Sequence, residues 1–147
     1  WLTYHRELAR VIAETHERFG AVLLFDAHSI GSVLPRFFEG RLPDFNLGTA
    51  DGASADAEMT DRMFGVLDNA DGYTAILNGR FKGGYITRQY GDPAGNIHAI
   101  QLEMAQIAYM DEDPPFRFLP DRADRVRPVL TELLQTGLDW ITSRSGT

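Results

Sequence analysis

The chain alternates between segments whose apolar residues recur at helical spacing and short segments that are apolar nearly throughout. In LTYHRELARVIAETHERFG, Leu2, Leu8 or Ala9, Ile12 and Phe19 fall near a 3.6-residue period and Gly20 supplies a stop, so a helix is predicted through about Phe19. AVLLFD (21–26) follows at once and is apolar up to its last residue, the pattern of a strand buried on both faces. Residues 30–54 carry Gly, Pro, Asp and Asn at short intervals with no sustained period. They are expected to form a long loop, a feature that in compact domains is usually functional or mobile. Ser54 is expected to cap a helix through ADAEMTDRMFGVLDNA, with Asp56 and Glu58 in its first turn and Met59, Met63, Phe64 and Leu67 on its apolar face.

Beyond that helix, YTAILN reads as a second strand and GRFKGGYITRQYGDPAGN as a glycine-rich loop with a short strand in YIT. IHAIQLEMA is a third strand. Its period of two sets Ile97, Ala99, Gln101 and Glu103 on one face and His98, Ile100, Leu102 and Met104 on the other. An acidic, proline-broken connection, MDEDPPFRFLPD, leads to a final helix in RADRVRPVLTELLQTGLDWITSR. There Leu130, Leu133, Leu134, Leu138, Trp140 and Ile141 form the apolar stripe, and Pro128 is expected near the first turn, where it would not kink the helix. Helix and strand alternate along the chain, so the predicted class is α/β: a mixed, largely parallel sheet flanked by helices, in one domain over residues 1–147.

Composition narrows the function classes. The 147 residues suffice for one real core, and 44% hydrophobic with 24% charged residues is ordinary for a globular protein. No apolar run approaches the ~20 residues of a bilayer span. A net charge of −7 argues against nucleic acid or an anionic membrane surface as partner of the whole molecule. Cysteine is absent, which excludes disulfides, thiolate metal sites and a cysteine nucleophile. Any metal would be held by His and carboxylates. The start, WLTYHRELAR, has no initiator Met and no signal core and reads as the interior of a helix, so a longer polypeptide is expected, incomplete here at its N-terminus.

Ligands of open α/β sheets bind beyond the carboxyl ends of the strands. Asp26 with His28, Asn78 and Glu103 stand at such ends. His28 is either a turn histidine or a metal ligand. Glu103 is either salt-bridged to an arginine or functional, since a buried carboxylate is costly without a partner. The loop from Asn78 to Gly91 carries Arg80, Lys82 and Arg88 with no acid. Its glycines allow close backbone approach, and arginine grips carboxylate or phosphate with two hydrogen bonds. The plainer reading is a solvated surface hairpin. His5 and His16 are expected to be solvated or half-buried helix residues. The motifs H-E-x-x-H, G-x-S-x-G and the Walker loop are all absent.

DAHSIGSVLPRFFEGRLPDFNLGTADGAS, then NGRFKGGYITRQYG, then IQLEMAQIAYM resemble the N-formylglutamate amidohydrolase (deformylase) family. The resemblance runs through most of the chain in the family's order. It implies a zinc-carboxypeptidase-like (phosphorylase/hydrolase-like) fold and a cytoplasmic, zinc-dependent enzyme. The implied reaction takes N-formyl-L-glutamate to formate and L-glutamate in histidine degradation. The alternatives are a related zinc amidohydrolase acting on another N-acyl amino acid or a peptide C-terminus, and a non-catalytic binder of acidic amino acids. In that larger group a His-Ser dipeptide at a strand end supplies the last zinc histidine and a later strand Glu is the general base. His28 and Glu103 match those positions, with Asp26 orienting His28. The remaining metal ligands are expected upstream of Trp1. The substrate's two carboxylates give the cationic loop a purpose, with Arg88 and Arg36 as the first candidates for clamping them, and Asn46, Lys82 and Tyr85 after them.

Overall fold

The computed structural model describes residues 1–144. The first helix, α1 (Leu2–Phe19), ends on Gly20 in the left-handed conformation (φ 73°), where a side chain would be strained. Strand β1 (Val22–Ile30) follows, then β2 (Phe45–Gly48), α2 (Ala57–Asp68), β3 (Ala75–Leu77), α3 (Tyr85–Tyr90), β4 (Ile97–Ala105) and α4 (Pro120–Thr142). The strands form one sheet in the order β1-β4-β2-β3. β1 runs parallel to β4 and β2 parallel to β3, while β2 and β4 are antiparallel. The class is α/β with a mixed, mostly parallel sheet, as the alternation of helix and strand predicts.

Period-two alternation divides the sheet's two faces. Leu23, Phe25, Phe45, Leu47, Ile100 and Leu102 turn to one side and pack with Met59, Met63 and Leu67 of α2 and Val126, Leu133, Trp140 and Ile141 of α4. Phe45, Leu47, Met59, Met63, Leu67, Ile100 and Leu133 are each fully buried, worth about 1.5–3 kcal/mol apiece relative to exposure. Gly137 admits this contact, because a Cβ there would lie 2.7 Å from Leu23 Cδ2. The opposite face carries Asp26, His28, Asn46, Gly48, Gln101 and Glu103. It meets α3, and α1 stands beside its β1 edge.

Five local expectations are corrected. The long loop contains β2, four residues that are fully covered because Phe45 and Leu47 complete the core. β1 continues to Ile30, so Asp26 and His28 lie inside the strand and not at its mouth. YIT begins a helix, not a strand: Tyr85–Tyr90 form α3, with Gly84 at its N-cap held by Gln101. Asp56, not Ser54, caps α2, its carboxylate accepting from the backbone N–H of Glu58 (2.8 Å) and Met59 (3.4 Å). Ser54 instead donates to the carbonyl of Ala99 at 2.7 Å. Pro128 lies in the interior of α4, which begins at Pro120. It sits on the exposed side, where water can serve the carbonyl that the missing N–H leaves free.

Candidate active site

The parallel register sets His28 opposite Glu103 and Asp26 opposite Gln101. The antiparallel register then sets Asn46 opposite Glu103 and Gly48 opposite Gln101. Three adjacent strands therefore present two polar rows on one face: His28, Glu103 and Asn46 in one, Asp26, Gln101 and Gly48 in the other. Residues opposite one another in a ladder have Cβ atoms about 4.5–5.5 Å apart, which is how positions 75 apart in sequence become neighbours.

His28 Nε2 lies 2.9 Å from Asp26 Oδ1, with the imidazole half-exposed and the carboxylate largely covered. A carboxylate held this way orients the ring and leaves its other nitrogen for a ligand. Glu103 is only 7% exposed, and among the described residues no side chain donates to its carboxylate. The arginine salt bridge considered for it does not form. Burial pushes the Glu103 carboxyl above the ordinary range; the neighbouring imidazole of His28 draws it back, and the charge of Asp26 adds to the rise. A desolvated carboxylate of raised basicity beside a histidine is a suitable proton acceptor. Asn46 is sealed at 1% exposure. Its Nδ2 donates to the carbonyls of Pro43 (2.8 Å) and Glu103 (3.1 Å), and its Oδ1 has no partner among the described residues. Asn46 thus holds the backbone of Glu103 and does not itself line the cleft.

The glycine-rich segment closes over the second row. Gly48 is its seat: a Cβ there would fall 2.5 Å from the backbone of Lys82 and Gly83. Gln101 Oε1 accepts from the backbone N–H of Gly84 at 2.7 Å. The cleft consists of two adjoining hollows that share Gly84 and Gln101; Glu103, though opposite His28 in the ladder, lines neither. One contains Asp26, His28 and Tyr85, the other Arg80, Lys82 and Arg88.

The cations differ in freedom. Lys82 pairs with Asp51 at 3.0 Å, so the acid missing from the loop's own sequence is supplied by a neighbouring turn. Arg80 donates to the carbonyl of Phe37 at 2.7 Å. Arg88 sits in the last turn of α3 and donates through Nη1 to Gly83 O at 2.6 Å. Its fixed position leaves other guanidinium donors for a ligand. Arg36 is exposed in the connection between β1 and β2, over the ring of Phe37, and lines neither half of the cleft. Tyr85 is exposed, its ring 4.9 Å from that of His5 and 5.4 Å from that of Trp1. His5 and His16 are half-buried and hydrogen-bonded, His5 Nδ1 with Tyr90 OH and His16 Nε2 with Gly95 O, each at 2.8 Å. Asn78 is structural: in the left-handed conformation (φ 51°), its Oδ1 accepts from Thr49 N and its Nδ2 donates to Thr49 Oγ1.

The model of the family described as N-formylglutamate amidohydrolase matches residues 1–110. The chain belongs to that family. N-formylglutamate deformylase of Pseudomonas putida is 53% identical over 144 residues, and that of Pseudomonas aeruginosa 52% over 140. The chain spans about half the length of these curated relatives, 54% and 53%. A crystal structure of N-formylglutamate amidohydrolase from Ralstonia eutropha superposes with a TM-score of 0.81 at 26% identity, over 96% of this chain and 52% of that one.

Zinc can be tested against the donors present. Among the described residues no group of three or more His, Asp or Glu side chains is placed to hold a metal ion. A catalytic zinc takes three protein ligands and a water. The described residues offer one imidazole with its orienting carboxylate, which fits a contribution to such a centre and does not fit a complete one.

Two residues gained weight only from the structure, Gln101 and Gly48. Period two placed Gln101 on the face of Glu103, but nothing in the sequence showed that a loop backbone would descend on it.

Proposed function

We propose that this chain forms the substrate-binding and proton-transfer part of an enzyme that hydrolyses N-formyl-L-glutamate to formate and L-glutamate. The observation that carries the reading is the arrangement around the cleft: an oriented imidazole lines one half, a buried carboxylate to which no described side chain donates stands opposite that imidazole in the ladder, and an arginine-bearing loop lines the other half, as a substrate with one scissile amide and two carboxylates requires. The relatives named N-formylglutamate deformylase and N-formylglutamate amidohydrolase support it.

In this reading Glu103 accepts a proton from the attacking water and returns it to the amine nitrogen as the amide C–N bond breaks, a role typically worth ~10²–10⁴-fold. Asp26 keeps the His28 ring in place. Arg88 binds a substrate carboxylate, since its planar fork matches two oxygens at once. Asn46 fixes the backbone from which Glu103 projects. Zinc is proposed as the cofactor; His28 would be the donor this chain contributes, and the metal when bound would polarise the formyl oxygen. A place in histidine degradation follows if the substrate is N-formylglutamate.

The test is glutamate release by the intact native protein from N-formyl-, N-acetyl- and peptidyl-glutamate. Strong preference for the formyl compound is expected, and preference for either of the others would replace it with the related amidohydrolase reading. Arg88→Lys should raise KM for N-formylglutamate about tenfold or more while leaving a neutral N-formyl amino acid nearly unaffected. Equal loss on both substrates would remove Arg88 from carboxylate binding. Binding of glutamate without any turnover, with zinc supplied, would favour a non-catalytic binder.

A further inference from the structure

Gln101 occupies the one position common to both halves of the cleft besides Gly84. It lies on β4 two residues before Glu103 and on the same face, opposite Asp26 on one side and Gly48 on the other. Gln101 is 7% exposed, and the orientation of its carboxamide is determined by a donor. The backbone N–H of Gly84 can only donate, so the atom 2.7 Å from it must be Oε1. Nε2 then occupies the other end of the carboxamide. Among the described residues Nε2 has no hydrogen-bond partner, and it is not among the side-chain atoms sealed from solvent without one. A glutamine whose acceptor is engaged and whose two donors open on a cleft is arranged to receive an anion or a carbonyl oxygen.

Position separates Gln101 from the residues already assigned. His28, with Glu103 opposite it in the ladder, marks the end where the amide is cut, and Arg88 stands in the other half. One carbon separates the α-carboxylate of an N-acyl amino acid from the scissile nitrogen; three separate the side-chain carboxylate of glutamate from it. A donor between the two ends of the cleft meets the nearer group. We propose that Gln101 is the specificity-determining residue for the α-carboxylate, donating to it through Nε2, while Arg88 takes the side-chain carboxylate. The same carboxamide positions Arg88, because Oε1 holds Gly84 at the start of the six-residue helix that carries it. This assignment rests on the reading of the cleft as an N-formylglutamate site.

The experiment compares three substrates in the intact native protein with its metal supplied: N-formylglutamate, its γ-carboxamide (N-formylglutamine) and its α-carboxamide (N-formylisoglutamine). Gln101→Glu keeps the size and the acceptor for Gly84 but puts a negative charge where the donor was. The expected result is a fall in kcat/KM of about tenfold or more on both substrates that keep the α-carboxylate, with a much smaller fall on the α-carboxamide. Equal losses on all three, or losses that follow the γ-carboxylate, overturn the assignment. Gln101→Met, similar in length and unable to hydrogen-bond, serves if the charged variant does not fold. Its preference for the α-carboxylate over the α-carboxamide should shrink about tenfold, and an unchanged preference overturns the assignment. If the wild-type protein hydrolyses none of the three, the functional reading fails separately. Calorimetric binding of the same compounds then decides Gln101 by the same pattern of losses.

Discussion

Gly48→Ala places one methyl group where the structure has no room for it. The added Cβ would stand 2.5 Å from Gly83 N and Lys82 C, and 3.0 Å from Lys82 O. These are backbone atoms, so no side-chain rotation relieves the contact. The loop must retreat by about 0.9 Å to reach ordinary van der Waals separation, and overpacking of this kind costs about 1–3 kcal/mol. Alanine recovers about 0.5–1 kcal/mol of that, because glycine loses more backbone freedom on folding. A net loss of about 1–2 kcal/mol is expected, or about 2–8 °C in Tm for a chain of this size. The displacement also carries Gly84 away from Gln101 Oε1. A bond of 2.7 Å stretched by that amount leaves the range of about 2.7–3.2 Å for N–H···O contacts. Urea denaturation reads the first effect, and amide exchange at Gly84 reads the second. A variant with the wild-type midpoint and undiminished Gly84 protection would refute the claim that this loop is seated on Gly48. It would equally refute the coupling of that seat to the cleft.

Glu103→Gln should fold with undiminished stability, because no donor among the described residues depends on the buried charge, while formate release falls ~10²–10⁴-fold; turnover within a few-fold of wild type would exclude Glu103 as the base. His98 offers a pH test away from the cleft. It is 2% exposed on the core face, its Nδ1 accepts from Asp56 N at 3.1 Å, and its ring meets Trp140 edge-on. Burial lowers its pKa below the ordinary 6.5, with the charge of Asp56 opposing and Arg144 adding slightly. The unfolded chain therefore binds a proton first as pH falls. Stability is fully present above about 6.5 and is lost on acidification toward the depressed folded value, by at most about 1.4 kcal/mol per pH unit. His98→Gln should flatten the urea midpoint between pH 6.5 and 5, and an unchanged slope would assign that acid sensitivity to other groups.

The helices α1, α2 and α4 and the strand β4 were legible because each carries its own period and most carry a stop or a cap, and β1 and β3 because each is a short apolar run between turn residues. Gly20 ends α1 by its own conformational freedom, and the alternation in IHAIQLEMA places Glu103 and Gln101 on one face without any knowledge of the neighbours. Absence of cysteine and an arginine-bearing loop in an acidic chain likewise needed no coordinates. β2 was illegible: FNLG is four residues long, its glycine is a strand breaker by propensity, and only Phe45 and Leu47 reaching the α2–α4 core make it a strand. YIT has β-branched residues and was expected in a strand, yet tertiary placement of Gly84 over Gln101 starts a helix there. Local preferences act over a few residues, whereas strand register is set by which side chains can be buried together across the whole sheet. That register is what brought His28 beside Glu103 and Gly48 beside Gln101, where the glycine loop is seated. Composition and periodicity set the chemistry available and the face each strand residue takes, whereas which of those residues share a cleft follows from the pairing of distant strands, a property of the packed core and not of any single segment.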